Sequence, residues 1–147
     1  MRHMIFGESH GPAIGVVLEG VPAGLELDLE RVQWELDRRR PGKDPTATAR
    51  KEADRVEVLS GLFEGKTTGA PLAMVIYNSD QRSRDYESIR YTPRPGHGDY
   101  AGFIKSRGAQ DYRGGGHFSG RLTAPLTAAG AEAKQVLARK GVWVGAH

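Results

Sequence analysis

Two histidines, each set between glycines, are the residues of this sequence best suited to chemistry. His10 lies within residues 7–12 (GESHGP), a polar turn between two apolar stretches, and His97 lies within residues 94–99 (RPGHGD). Imidazole is the side chain best suited to moving a proton near neutral pH. Flanking glycines let a ligand approach the backbone closely. A histidine in an ordinary surface turn is the simpler interpretation of either motif taken alone.

Polar neighbours of the two histidines extend the chemistry that each motif could support. Ser9 can donate a hydrogen bond to an anionic oxygen. Asp99 can either orient the imidazole of His97 or form a local turn bond. Arg94 stands three residues before that histidine. Both motifs therefore suit an anion bound beside a proton-transfer group.

A third cluster, residues 111–121 (DYRGGGHFSGR), leads into the last helix that the sequence predicts. Consecutive glycines before a helix leave backbone N–H groups that can receive a phosphate, and the helix dipole favours that charge. The cluster is neither a Walker loop nor a dinucleotide fingerprint, because it lacks the Lys-Ser/Thr pair and the G-x-G-x-x-G spacing. By itself, the glycine run is weak support for a phosphate site.

Three consecutive arginines, Arg38, Arg39 and Arg40, add fixed positive charge at the end of the first predicted helix. Guanidinium groups bind phosphate and carboxylate in two-point geometry. Arginines at this place also offset the negative charge of a helix C-terminus. Three in a row point to different sides, so they cannot all serve that purpose.

The net charge of +3 is unevenly distributed along the chain. Residues 38–55 carry seven Lys/Arg against three Asp/Glu, and residues 82–121 carry eight against four. Such segments suit the binding of a compact anion or of nucleic acid, although solvated loops have the same composition. Glycine, at 20 of 147 residues, is about twice its usual share of roughly 7%.

Several classes of protein are disfavoured by what the sequence lacks. It has no cysteine, which excludes disulfides, thiolate catalysis and thiolate metal sites. His10, His97 and His117 show no short His-x-x-x-His spacing, so no metal site is predicted. No apolar run reaches the length of a membrane span, and no signal-peptide pattern begins the chain. We therefore expect a cytoplasmic protein without a membrane partner.

The apolar pattern predicts three strands and one helix in the first half of the chain. The strands are expected at residues 13–19, 55–59 and 71–77. The helix is expected to begin after Asp28, as its N-cap, and to run to about Arg38.

The second half is predicted to end in a helix with Pro125 in its first turn and Gly141 as its C-cap. Residues 142–144 are expected to begin another strand, so the domain is expected to be incomplete. Residues 78–120 show no sustained periodicity but are rich in aromatic residues, which indicates a functional loop rather than disorder. Because strands and helices do not alternate regularly, we predict an α+β fold with antiparallel sheets and packed helices.

Taken in order, five motifs of this sequence resemble those of the chorismate synthase family. They are residues 7–11 (GESHG), 38–42 (RRRPG), 78–82 (NSDQR), 94–99 (RPGHGD) and 114–121 (GGGHFSGR). The family's chain is considerably longer. The resemblance therefore implies that residues 1–147 are the N-terminal portion of a single catalytic domain, with a β-α-β sandwich fold and a homotetrameric assembly.

The resemblance implies an enzyme of the shikimate pathway. It would convert 5-enolpyruvylshikimate 3-phosphate to chorismate by anti-1,4-elimination of phosphate, a lyase reaction that needs reduced FMN without net redox change. In the family the first histidine, here His10, protonates the departing phosphate. The second, here His97, assists the reduced flavin near its N1. The resemblance leaves open whether the enzyme reduces its own flavin, with NADPH as the possible reductant, or depends on an external reductase.

The resemblance also assigns binding residues by position. Substrate binding falls to Ser9, Arg39, Arg40 and Arg94, and Arg39 also matches a position linked to NADPH. The FMN-binding stretch corresponds to His117, Phe118 and Ser119. Many family members carry Arg-Ser-Ser in that stretch, so we expect the flavin contacts to differ here.

Two alternatives accompany this prediction. One is a catalytically incomplete fragment of the same enzyme, which would bind FMN weakly and turn over poorly. The other is a nucleic-acid-binding module, suggested by the pI of about 9.3 and by the basic, tyrosine-bearing residues 82–121. Such a module would lose affinity steeply with salt, and the glycine-flanked histidines would have no purpose in it.

Overall fold

The computed structural model describes residues 1–40, 53–79, 86 and 90–145. The 3-10 helix Gly120–Leu122 precedes the last α-helix, and residues Arg113–Phe118 before it form a turn whose three central glycines have non-helical backbone angles. The strands and α-helices in chain order are β1 (Arg2–Gly7), β2 (Ala13–Glu19), α1 (Leu29–Arg39), β3 (Val56–Ser60), β4 (Leu62–Phe63), β5 (Lys66–Thr67), β6 (Leu72–Tyr77), α2 (Asp99–Ser106) and α3 (Thr123–Ala138).

A four-stranded antiparallel sheet in the order β1-β2-β6-β3 is the centre of the fold. Ile14 pairs with Ile76 and Val16 with Met74, so the apolar side chains of β2 and β6 stand on the same face. The short strands β4 and β5 form a separate antiparallel pair. Antiparallel sheets packed with helices confirm the predicted α+β class.

Helices α1 and α3 pack together on one face of the sheet and enclose the core. The fully buried side chains come from both helices and from the two central strands: Ile14, Val16, Leu18, Leu72, Met74 and Ile76 from the sheet, and Val32, Leu36, Ala124 and Ala128 from the helices. Burying a Val, Leu or Ile side chain contributes about 1.5–3 kcal/mol. The core therefore holds rigid the sheet from which the loops of the site extend.

The helix ends follow the signals in the sequence. Asp28 caps α1 by accepting a hydrogen bond from Arg31 N–H at 3.0 Å. Pro125 is the third residue of α3, where no helical N–H is lost. Gly141 has a φ of +72° just beyond the helix, the conformation expected of a glycine that ends one. These predictions are confirmed.

Other predictions need correction. Residues 142–145 form no strand, so the strand predicted to begin at residue 142 is wrong. The apolar pattern predicts neither β1 nor the short strands β4 and β5, and the loop predicted over residues 78–120 contains helix α2. The eight residues of α2 give little more than two turns, too few for an apolar period to be visible. Residues 41–52 and 80–85, which include parts of two motifs, lie outside the described residues.

Candidate functional site

The first histidine motif lies in the hairpin loop between β1 and β2, at the end of the sheet where strand β6 finishes. Asn78, directly after β6, holds this loop. Its backbone N–H donates to Pro12 O at 3.0 Å. Its side-chain amide donates to Gly11 O at 2.8 Å and to Glu8 O at 3.2 Å. These bonds fix the loop that carries His10.

Three consecutive glycines form the turn that faces this loop. Gly114, Gly115 and Gly116 have φ values of +58°, +82° and +53°, which residues with a Cβ rarely adopt. A Cβ on Gly114 would overlap Cε1 and Nδ1 of His10. A Cβ on Gly115 would lie 2.5 Å from Cε1 and 2.9 Å from Nε2 of His97. The turn is therefore the surface against which both imidazoles rest.

The adjacency of Gly114 and Gly115 brings the two histidines to one site. Consecutive Cα atoms are about 3.8 Å apart, so the two rings lie within about 12 Å of each other. Their motifs are far apart in the sequence. The catalytic roles of His10 and His97 stay predictions, but the geometry places both rings where they could act on one ligand.

His10 is almost fully buried, with 6% of its surface exposed. The ring of Tyr86 meets it edge-on, with 4.9 Å between ring centroids. The neighbouring Ser9 is also buried, and its backbone N–H donates to Gly116 O at 3.1 Å. In such a dry setting, charges and hydrogen bonds act more strongly than they do in water.

The carboxylate of Asp99 organises the second motif. Its Oδ1 lies 2.7 Å from His97 Nδ1 and 2.9 Å from Arg94 Nη2, and its Oδ2 lies 2.7 Å from Arg94 Nε. The bonds from the Arg94 guanidinium hold the pKa of Asp99 far below its usual value, against the opposing effect of burial. Asp99 is therefore an anion at every physiological pH.

A second arginine–aspartate pair lies next to the glycine turn. Arg113 donates to Asp111 through Nε at 2.8 Å and Nη2 at 2.7 Å, and its backbone N–H donates at 3.0 Å. These bonds from Arg113 lower the pKa of Asp111, and the charge of His10 adds to the effect. The same pairing raises the pKa of Arg113.

A buried ionic network joins α1 to the loop of the first motif. Asp54, which is 3% exposed, accepts hydrogen bonds from Arg39 Nη1 at 2.8 Å and from Arg121 Nη1. Arg121 Nε donates to Asn78 Oδ1 at 3.1 Å, and Arg39 Nε donates to Thr123 Oγ1 at 3.0 Å. The predicted substrate-binding Arg39 is thus linked, through Asp54 and Arg121, to the residue that holds the His10 loop.

The predicted flavin residues His117 and Phe118 contact different elements: His117 contacts β1, and Phe118 contacts the N-terminal half of α2. His117 Nδ1 lies 2.8 Å from Gly7 O and so ties the turn to β1. Phe118 is 43% exposed. Its ring lies against Gly98 and against Gly102 of α2, and a Cβ on Gly102 would come within 2.7 Å of it. Phe118 is therefore beside the second motif, with part of its ring open to a ligand.

Two further predicted residues make local contacts. Ser119 Oγ accepts from Arg121 N–H at 3.3 Å and caps the short helix Gly120–Leu122. That helix separates the glycine turn from α3, so the turn does not open directly onto α3 as expected. Arg40 lies 3.6 Å from the exposed Asp37. No contact among the described residues joins Arg40 to the histidines, and its role stays a prediction.

The sequence does not single out Asp54 or Tyr86 as site residues, and it places Asp111 and Arg121 in the third cluster without assigning a role to either. Asp111 and Arg113, two residues apart, carry a visible signal, because a carboxylate and a guanidinium at that spacing can share a turn. The partners of Asp54 come from distant segments, and nothing local indicates them. Within the described residues, no cluster of three or more His, Cys, Asp or Glu could hold a metal ion. Among the helices of that same part, none combines the length and apolarity needed to cross a membrane.

Comparison with known proteins places this site in a family. The family model described as chorismate synthase matches residues 1–147. The chain belongs to the chorismate synthase family. A chorismate synthase of Desulfovibrio desulfuricans is 57% identical over 144 residues, which are 98% of this chain and 40% of that protein. A chorismate synthase of Aeropyrum pernix is 59% identical over 146 residues, 99% of this chain and 38% of that protein.

A solved structure gives the same result. The crystal structure of a chorismate synthase matches with a TM-score of 0.68 and 35% identity, over 98% of this chain and 36% of that one. The chain therefore spans about two-fifths of the length of the relatives that it matches and has the fold of their N-terminal portion. The family resemblance drawn from the five motifs is confirmed.

Proposed function

We propose that this chain carries part of the active site of a chorismate synthase acting on 5-enolpyruvylshikimate 3-phosphate. In that elimination the C–O bond to phosphate breaks, a ring proton leaves, and the C–H electron pair shifts to form the new diene without an external oxidant. The observation that carries the proposal is the seating of His10 and His97 on the adjacent Gly114 and Gly115, in a chain of this family.

The charges around the two imidazoles support a polyanionic substrate. A phosphate and carboxylates need several positive groups nearby. Arg94 and Arg113 flank the glycine turn, and both keep their charge because paired carboxylates raise their pKa. Arg39 and Arg121 stand behind the His10 loop, joined by Asp54. Arg94 donates through Nε and Nη2 to Asp99. We therefore assign it to the positive electrostatic potential of the site more than to direct hydrogen bonds with the substrate.

The first imidazole is the group that we assign to protonate the departing phosphate. His10 is buried beside Tyr86, and the Asp111 carboxylate interacts with its charge. An imidazole is the side chain best suited to giving up a proton near neutral pH. Ser9 lies beside it against Gly114, where a hydroxyl can bond to a phosphate oxygen.

The residues of the second motif fit a planar cofactor such as reduced FMN. When bound, the reduced flavin supplies the electron-rich ring that this elimination requires, without a net change of its oxidation state. The half-exposed ring of Phe118 offers a face for it beside His97. His117 and Ser119 hold the turn through Gly7 O and Arg121 N–H. We assign to Arg39 the contact with NADPH that its matching position in the family implies.

A chimera would test the function in a complete chain. Residues 1–147 would replace the matching N-terminal segment of the Aeropyrum pernix chorismate synthase, and chorismate would be measured anaerobically with reduced FMN. We expect turnover by the chimera, and we expect His10→Ala and His97→Ala each to lower kcat by about 10²- to 10⁴-fold, the usual contribution of a general acid or base. The exposed His3 on β1 offers the matched control, and His3→Ala should leave kcat unchanged.

Two results would count against the proposal. A folded chimera that makes no chorismate, beside an active Aeropyrum pernix parent, would contradict the function. A chimera in which both histidine variants keep kcat within about twofold of the unsubstituted chimera would contradict the roles of His10 and His97, because general acid–base groups contribute far more than that.

Residues 1–147 by themselves fit a second, narrower description. Because they span only about 40% of the matched relatives, we propose that this segment alone binds reduced FMN weakly and turns over poorly. Spectral titration of the 147-residue chain with reduced FMN tests this, and tight binding would contradict it. A homotetramer and a cytoplasmic location remain predictions for the complete enzyme.

A further inference from the structure

His97 and Arg94 share one carboxylate, and the geometry of that sharing limits the state of the imidazole. The side chain of Asp99 is 9% exposed. It accepts from Arg94 through the backbone N–H at 3.0 Å, Nε at 2.7 Å and Nη2 at 2.9 Å. His97 Nδ1 lies 2.7 Å from Oδ1 of the same carboxylate. An ionised carboxylate can only accept, so a hydrogen on Nδ1 is required at this distance.

The guanidinium of Arg94 does not compete for the ring nitrogens of His97. Its Nη2 lies 3.3 Å from Nδ1 and 3.4 Å from Nε2. Such nearly equal distances place Nη2 over one face of the ring rather than in line with either lone pair. A guanidinium only donates hydrogen bonds and an ionised carboxylate only accepts them, so a hydrogen on Nδ1 belongs to the 2.7 Å contact with Asp99.

We propose that Asp99 is a positioning residue that holds neutral His97 in its Nδ1–H tautomer and so presents an unprotonated Nε2 to the glycine turn. Nε2 would lie 2.9 Å from a Cβ on Gly115, so this nitrogen faces the glycine turn next to Gly114, on which His10 rests. A neutral Nε2 accepts a hydrogen bond or a proton from a bound group, which an Nε2–H could not do. The catalytic meaning of this tautomer rests on the proposed function, whereas the tautomer itself does not.

Nitrogen NMR of the intact 147-residue chain tests the tautomer directly. Long-range ¹H–¹⁵N spectra would be recorded near pH 8.5, about two units above the ordinary imidazole pKa, with His97 assigned through His97→Gln. We expect the Nδ1 shift of a protonated nitrogen and the Nε2 shift of an unprotonated one. In Asp99→Asn the ratio of Nδ1–H to Nε2–H should fall about tenfold or more, the effect of losing a charge-assisted hydrogen bond.

The matched control is Asp111→Asn. Asp111 pairs with Arg113 through the same three kinds of nitrogen, and its hydrogen bonds in the described part of the chain do not include one to His97. Its substitution should leave the His97 tautomer unchanged. A wild-type spectrum with the hydrogen on Nε2 would overturn the proposal whether or not Asp99→Asn folds. An unchanged tautomer in a folded Asp99→Asn protein would overturn it as well.

Turnover of the chimera separates this inference from the proposed function. Asp99→Asn should lower kcat about 100-fold with a much smaller change in KM, because the tautomer affects the reacting group rather than substrate binding. A shifted tautomer with unchanged kcat would overturn the catalytic part of the inference. If the unsubstituted chimera makes no chorismate, the proposed function fails, and the NMR result still decides the role of Asp99.

Discussion

The imidazole of His97 lies directly against Gly115, where an added Cβ would come within 2.5 Å of Cε1. The neighbouring Gly114 bears the same relation to His10. Two adjacent glycines thus seat the two histidines that the sequence singles out. No larger residue could fill either position without moving a ring.

Alanine at each glycine should move a different histidine. Gly115→Ala should shift the Cε1–Hε1 NMR signal of His97, and Gly114→Ala should shift that of His10. Each variant should also lose about 1–3 kcal/mol of stability, since its φ is positive. In the chimera we expect kcat to fall about 100-fold, the usual effect of misplacing a reacting group by an ångström.

Gly120→Ala is the matched control for these two variants. No atom outside the neighbouring residues lies within 4 Å of a Cβ at Gly120, and its φ is not positive. Both histidine signals and the stability should stay close to wild type, within about 0.5 kcal/mol. Equal shifts of both histidine signals in all three variants would contradict the separate seats.

Asp54→Asn tests the buried network behind the His10 loop. Asparagine tolerates the positive φ of Asp54 (+47°), so the change removes charge with little backbone strain. Losing one partner of a buried ionic pair should lower the free energy of unfolding by about 3 kcal/mol, measured in urea. Asp37→Asn, whose partner Arg40 is an exposed 3.6 Å contact, should cost under about 1 kcal/mol. Equal losses in the two variants would contradict the network's importance.

The carboxylate of Asp111 should make stability fall in acid. Because its pKa is lowered in the folded protein by Arg113, the pairing stabilises the fold above the ordinary aspartate pKa of about 3.9 and loses that effect as pH falls through the lowered value. Asp111→Asn should therefore be less stable than wild type at pH 7, with the difference shrinking toward pH 2. Urea unfolding at both pH values measures this, and a difference independent of pH would contradict it.

Glu132, buried in α3 with 1% of its surface exposed, should have the opposite pH dependence. Its Oε2 has no hydrogen-bond partner among the described residues, and burial raises its pKa. Folding thus favours the protonated acid, so stability is greatest below the ordinary glutamate pKa of about 4.3 and falls as pH rises through the raised value.

Replacing the buried carboxyl of Glu132 by an amide should remove the free-energy cost of burying an ionised carboxylate. Glu132→Gln should gain about 1 kcal/mol or more at pH 7 and little near pH 4, as measured by urea unfolding. The exposed Glu64 supplies the control, and Glu64→Gln should stay within about 0.5 kcal/mol of wild type at both pH values. A glutamine variant that is less stable than wild type at pH 7 would show that the carboxylate is favourably bound there.

Local signals allowed much of the fold to be predicted. Strand β2 follows from the alternation of Ile14, Val16 and Leu18, and α1 follows from its Asp28 cap and its apolar period. The sequence pattern does not predict helix α2, because the helix is short and contains Gly102, which is unfavourable in a helix. That glycine is explained by Gln110 Oε1, which an added Cβ would overlap, and by the ring of Phe118, which would lie 2.7 Å from that Cβ.

The site itself could be predicted only in part. Glycine flanks identified His10 and His97, since their residue types and spacing are local facts. Their seats on Gly114 and Gly115 depend on how distant segments meet, which no local pattern encodes. The same holds for Asp54, which carries no signal of its own and whose role arises from two arginines contributed by other elements.

His10 and His97 rest on adjacent glycines of one turn, Gly114 and Gly115. Nuclear Overhauser measurements on the 147-residue chain test it most directly. We predict cross-peaks from His10 Hε1 to the Hα protons of Gly114 and from His97 Hε1 to those of Gly115. Absence of both cross-peaks in a folded protein, with either ring instead close to protons far from this turn, would contradict the placement of the two histidines on adjacent glycines.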